Sequence, residues 1–259
     1  MMDEIATDTS IDSQPRRAAR RISYGLLWVL NHWLLLFLSL FGVWWIIPFF
    51  APVFMRIGWT VPAQVIYLVY SVQCHQMAQR SIFLFGPQPM YNVAQLPIAM
   101  TGNDAVNILA LRAFTGNSDL GWKVAWSDRM VYIYGAILMT GIAFGAIRRH
   151  RYVRPLRLFT LFALSVPLVL DGGTHFLSDI TGGLLGGFRY SNHWLATLTG
   201  NALPAWLYAG DAIGSFNSLM RLITALLFGF AFAWFAIPYL DRSIRESAMI
   251  LRAKLSVTA

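Results

Sequence analysis

Charge is what this chain has least of: Asp, Glu, Lys and Arg make up 12% of its 259 residues. Soluble domains carry about 25%, so a water-facing surface of ordinary composition cannot be assembled from it. Cysteine is scarcer still. Cys74 stands alone, which excludes an intrachain disulfide. What is abundant is apolar: hydrophobic residues make up 57% of the chain, mean hydropathy is +0.54, and these residues fall in long unbroken runs. A soluble enzyme, a disordered chain and a disulfide scaffold are all excluded, and the bilayer is the solvent.

The net charge is +8. Its basic residues cluster beside the apolar runs, where they act as orientation signals and as contacts for anionic lipid. Lipid, and not nucleic acid, is the partner this implies. The run from Leu26 to Phe54 is too long for the core of a cleaved signal peptide. It reads as a first span over roughly 28–50, ended by Pro48 and Pro52. Three more spans are expected over about 130–147, 156–176 and 219–239. Each offers roughly 17–21 residues, enough for a hydrocarbon core of about 30 Å.

Lys and Arg gather at 16–21, 148–157 and 242–254, so both termini and the middle basic turn are assigned to the cytoplasm. The segment 51–129 must then cross an even number of times or not at all. Either 60–78 is a re-entrant or outer-leaflet segment, or a second weak span lies near 82–100. Pro87, Pro89 and Pro97 make the latter a poor helix. The expected fold is an all-α polytopic transmembrane bundle of four spans plus an embedded outer segment. It is one domain over 26–240, between a polar, basic tail at 1–25 and a basic tail at 241–259. Asn103-Asp104 predicts a short capped helix reaching Phe114. Gly141-x-x-x-Gly145 predicts close helix packing.

This topology sends the unusual polar groups to the outer side. Cys74, His75 and Arg80 sit in the embedded segment, and Asp128 and Arg129 open the second firm span. Asp171, His175 and Asp179 end the next helix, while Arg189, Asp211 and Arg221 belong to the last outer loop and the start of the final span. Asp171, His175 and Asp179 are spaced i, i+4, i+8, so a helix continuing through Gly172-Gly173 places all three on one side. If that glycine pair ends the helix, Asp171 is only a turn cap. The ligand-binding candidates are Cys74, His75, Arg80, Arg129, Asp171, His175, Asp179 and Arg189. Cys74 with His75 offers a soft sulfur and an imidazole, ligand types for a divalent metal. A buried free cysteine also serves simply as a small hydrophobe.

Cys74-His75-Gln76, Arg80-Ser81 and Phe83 resemble the Cys-His-Gln…Arg-Ser-Phe signature of a prokaryotic family of predicted multi-pass membrane proteins of unknown function. Ser127-Asp128-Arg129-Met130 with Tyr134 falls where that family has a Cys-x-Arg-Cys…Tyr element. Asp171-Gly172-Gly173-Thr174, Arg189-Tyr190-Ser191-Asn192 and Thr199-Gly200 are similar to its later elements. The likeness spans roughly 70–201. Ser127 and Met130 stand where the family has cysteines, so a four-ligand thiolate site is not available here. A metal would have to use Cys74, His75, Asp171 and His175. Three functions follow as expectations. The first is an outer-facing polar pocket that binds or translocates an ion, small solute or lipid head group. The second is a non-catalytic subunit of a membrane complex, and the third a membrane-embedded metal-dependent enzyme. Homo-oligomerisation or a larger plasma (inner) membrane assembly fits any of them.

Overall fold

A computed structural model of the protein describes residues 13–257. Asp3, Glu4, Asp8 and Asp12 of the expected N-terminal tail lie outside that range. The chain is 71% helical, running α1 (Ser13–Ile46), α2 (Phe50–Arg56), α3 (Thr60–Ser71), β1 (Ser81–Leu84), α4 (Asp104–Ala113), β2 (Gly116–Asn117) and β3 (Gly121–Ser127), then α5 (Asp128–Ile147), α6 (Leu158–Gly186), α7 (Phe188–Ser191), α8 (His193–Leu198), α9 (Ala205–Tyr208) and α10 (Phe216–Val257). Among these, four helical stretches are long and apolar enough to cross a membrane: Ala18–Arg56, Asp128–Ile147, Leu158–Leu184 and Phe216–Ser256. All four expected spans are present. The helices run further than the apolar cores suggested, with α1 starting inside the expected tail and α10 continuing through 241–257.

Helix α10 is the axis of the bundle and packs against α1, α5 and α6. Leu34, Ile133, Ile137, Phe144, Ala225, Ala233 and Ile237 form the shared core. The small-residue pair in α5 lets α1 approach closely. A Cβ on Gly141 would sit 2.6 Å from Leu38 Cδ2, and one on Gly145 3.2 Å from Leu34 Cδ2. The remaining faces of the spans are strongly apolar and open, Phe159, Val169 and Phe176 of α6 among them. A helix apolar on its outward face as well as its packed one belongs in lipid. Opposite the polar end of the bundle, Asp241 accepts hydrogen bonds from Arg148 and from Trp33 Nε1.

Helix α3, with 12 residues, is only about 18 Å long and cannot cross a bilayer. It is the embedded segment expected over 60–78. The second weak span near 82–100 does not form. Residues 81–84 instead build an antiparallel sheet in the order β1-β3-β2 with 116–117 and 121–127. The sheet escaped sequence reading because β3 is buried along much of its length and lacks period-2 alternation. Helix α4 forms where expected, with Asn103 Oδ1 accepting from the amides of Ala105 and Val106.

Sheet and bundle meet in an aromatic cluster around fully buried Trp126, whose ring centre lies 5.0 Å from those of Trp44, Tyr70 and Tyr134. Beside it, Lys123 of β3 is buried with no carboxylate partner. Its Nζ donates to the carbonyls of Gln76 and Arg112, each at 2.7 Å. Burial lowers the amine from its ordinary 10.5 to about 7, outweighing the opposing pull of Cys74, and Arg112 adds to the fall. Between those values the unfolded chain binds more protons than the folded one, so stability rises with pH across that window. Thermal unfolding in detergent should therefore give a melting temperature that climbs from pH 7 to pH 10. Lys123→Met should flatten that climb; an unchanged slope in the variant would contradict the assignment.

Candidate functional site

The polar end of the bundle is built from the start of α5, the C-terminal half of α6, the start of α10 and the loops that cover them. Helix α6 runs unbroken through Gly172-Gly173 until Gly183, where φ reaches 69°. Asp171, His175 and Asp179 are therefore on one helical face, one turn apart. This disposes of the reading in which Asp171 caps a turn.

Four aspartates and four arginines alternate here. Asp128 of α5 accepts from Arg221 Nε of α10 at 2.6 Å, and Arg221 Nη1 donates to Asp211 at 2.7 Å. The other Asp211 oxygen accepts from Arg80 Nε at 3.3 Å, and Arg80 Nη2 reaches Asp179 at 3.4 Å and the Tyr190 hydroxyl at 2.8 Å. A second chain runs Arg129–Asp171–Arg189, each arginine donating to a different Asp171 oxygen at 2.6 Å. Burial would raise the Asp211 carboxyl, but Arg80 and Arg221 overcome it and hold that group well below the usual carboxylate range. Isolated, any of these charges would cost several kcal/mol in so dry a site; alternation makes the array neutral.

The motifs resolve into parts of this array. Gly172 lets Arg129 cross α6, since a Cβ there would lie 3.1 Å from Arg129 Nη1. Thr174 Oγ1 accepts from Arg189 Nη1 at 3.0 Å, beside Asp171. Arg189 Nε donates to Asn217 of α10, and left-handed Asn192 (φ 44°) donates to the carbonyls of Arg189 and Tyr208. The Cys74-His75-Gln76 turn is irregular, with Gln76 at φ 50°. Gln76 Nε2 donates to the Tyr67 carbonyl, and Cys74 Sγ accepts from the amides of Gln76 and Ser127.

A cavity of about 380 Å³ opens in front of the array. Of the eight candidate residues, Cys74, His75, Arg80, Arg129, His175 and Asp179 line it, whereas Asp171 and Arg189 stand behind the wall and hold Arg129 in place. Asp128 and Arg221 also reach the lining, with Met77, Ile108, Phe176 and Ile180 as apolar wall. His175 is 3% exposed, and among the described residues neither of its ring nitrogens has a hydrogen-bond partner. Arg129 Nε is buried and unpartnered in the same way. Lys123 and Asn217 are absent from the sequence-based candidates, and Tyr190 and Asn192 enter only through the resemblance. Of the first two, Lys123 left a signal, as a lone charge in an apolar stretch.

The set proposed for a metal is not assembled. Both Asp171 oxygens are occupied by arginines, the Cys74 sulfur takes two amides, and His75 turns outward from Cys74. Among the described residues no three His, Cys, Asp or Glu side chains come together as a group that could hold a metal ion.

The fold and the polar site at one end of its bundle define a polytopic helical membrane protein. Comparison with family models, with curated proteins and with solved structures finds no match.

Removing one member of a buried pair leaves the other uncompensated, at a cost of about 3–5 kcal/mol. Asp171→Asn strands two arginines and should lower the melting temperature far more than Asp179→Asn, whose side chain is 22% exposed and whose arginine keeps Asp211. Equal shifts for the two variants would contradict the paired-array account.

Proposed function

We propose that this protein binds a small polar ligand in the 380 Å³ cavity, facing the outer side of the plasma (inner) membrane, with both termini in the cytoplasm. The orientation rests on charge. Arg148, Arg149, Arg151, Arg154 and Arg157 lie at the far end of the bundle from the cavity, as do Arg242, Arg245, Arg252 and Lys254 of α10. Most of the sequence elements that resemble the multi-pass family, Thr199-Gly200 excepted, contribute residues to the array or to the cavity wall, which supports treating them as one site.

The observation that carries the reading is the convergence of Arg80, Arg129, His175 and Asp179 from separate elements on one cavity. Charged groups gathered at membrane depth around a cavity mark a binding site by default. The cavity volume falls in the lower part of the range typical of small-molecule sites, roughly 300–1,000 Å³. Polar groups converge on one side of it and apolar walls close the other.

His175→Leu removes the unsatisfied groups at similar volume. Its melting temperature should equal or exceed that of the unliganded wild type, because no protein partner is lost. Native mass spectrometry of protein extracted from its own membrane should show a bound species on the wild type and none on the variant. A wild type with no bound species, working normally inside a stable complex, would support the structural-subunit reading instead. A single cysteine at exposed Ser118, in a Cys74→Ala background, should react with an impermeant maleimide on intact cells. Reaction only after lysis would invert the topology.

A further inference from the structure

We infer that the ligand is a zwitterion, bound with its ammonium group toward Asp179 and its acid group toward Arg129; this rests on the binding reading above. The shared chemistry is a primary amine carried on one molecule with a phosphate or carboxylate. Its two sources, a lipid headgroup and a solute free in water, give different results in the experiment below.

The first observation is how the charges divide. Asp128, Arg221, Asp211, Arg80 and Asp179 are linked in one chain, three carboxylates against two guanidinium groups, for a net −1. Arg129, Asp171 and Arg189 are linked in the other, two guanidinium groups against one carboxylate, for a net +1. The array is neutral as a whole and polarised within itself. A ligand of net charge would leave that charge uncompensated, which is costly at membrane depth. A zwitterion keeps the sum at zero and meets each chain with the sign it lacks.

The second observation is which ends are open. Each chain has one sealed terminus and one part-exposed terminus. The side chains of Asp128 and Arg189 are 0% and 7% exposed, whereas those of Asp179 and Arg129 are both 22% exposed and line the cavity. Asp179 is held by a single nitrogen, Arg80 Nη2, at 3.4 Å from each oxygen. A carboxylate has about four lone-pair sites, so room remains for an ammonium donor. Arg129 holds Asp171 through Nη2 alone. Its Nη1 stands beside Gly172, another residue of the lining, and has no hydrogen-bond partner among the described residues.

The open ends are also set apart. Gly172 and Asp179 lie on one face of the cavity, about 10 Å apart along α6. Allowing about 3 Å for a hydrogen bond at each end, the ligand's own charges are about 4 Å apart. An amine and a phosphate joined through two carbons span that gap. Phe176 and Ile180 give the ligand an apolar wall alongside.

The test uses the full chain in an uncharged maltoside detergent at pH 8. The soluble probes are glycerophosphoethanolamine, glycerol phosphate and ethanolamine; the lipid probes are phosphatidylethanolamine and phosphatidylglycerol. Binding is read by native mass spectrometry and by thermal unfolding. The wild type should favour an ethanolamine-bearing probe about tenfold or more over its partner without the amine, the worth of one charge-assisted hydrogen bond. Binding of glycerophosphoethanolamine assigns the solute, and retention of phosphatidylethanolamine without it assigns the lipid. Asp179→Asn leaves Arg80 paired with Asp211, and should move the preference to glycerol phosphate or phosphatidylglycerol. Arg129→Gln should move it to ethanolamine. Equal binding of probes with and without the amine, or a preference that Asp179→Asn leaves unchanged, would overturn the zwitterion while the cavity still binds. A species carried from the native membrane that lacks either an amine or an acid group would do the same. Absence of any bound species on protein from its own membrane is the separate outcome that removes the binding reading itself.

Discussion

Charge in a low-dielectric medium must be compensated within the molecule, and that requirement organises the polar end of this protein. Asp128, Arg221, Asp211, Arg80 and Asp179 form one alternating chain; Arg129, Asp171 and Arg189 form another. Their backbones belong to α5, α6, α7, α10 and the segments before β1 and α10, so one neutral array ties together elements far apart in sequence. The aromatic cluster around Trp126 and the Gly141 contact set the spacing of the helices. The array sets which residues face one another.

Against that economy, the unmet groups stand out. Every carboxylate in the array is paired with arginine, while His175 and Arg129 Nε are buried without a hydrogen-bond partner among the described residues. Residual polar groups of this sort lower stability, and sites under functional demand are where proteins keep them. The same cavity wall carries Phe176 and Ile180, both largely exposed on the outward face of α6.

Much of this was legible in the sequence, because lipid imposes simple rules. The four spans follow from apolar run length, and the convergence of polar residues follows from where Lys and Arg fall along the chain. The i, i+4, i+8 spacing of Asp171, His175 and Asp179 needed only an unbroken helix, which α6 provides. Other features depend on tertiary pairing that no local pattern encodes. Strand β1 lies beside Pro87 and Pro89 and β3 is buried along much of its length, and Lys123 is satisfied by the carbonyls of Gln76 and Arg112. Cys74 and His75 are adjacent and both line the cavity, but the turn at Gln76 buries the sulfur and leaves the imidazole exposed. The expected metal set fails there, on backbone geometry that residue identity could not reveal.

The contents of the cavity test the account most directly. Electron cryo-microscopy of protein extracted in patches of its own membrane should show non-protein density in the cavity lined by Arg80, Arg129, His175 and Asp179. A cavity empty of density, or one in which His175 has turned to pair with a side chain of the array, would contradict it.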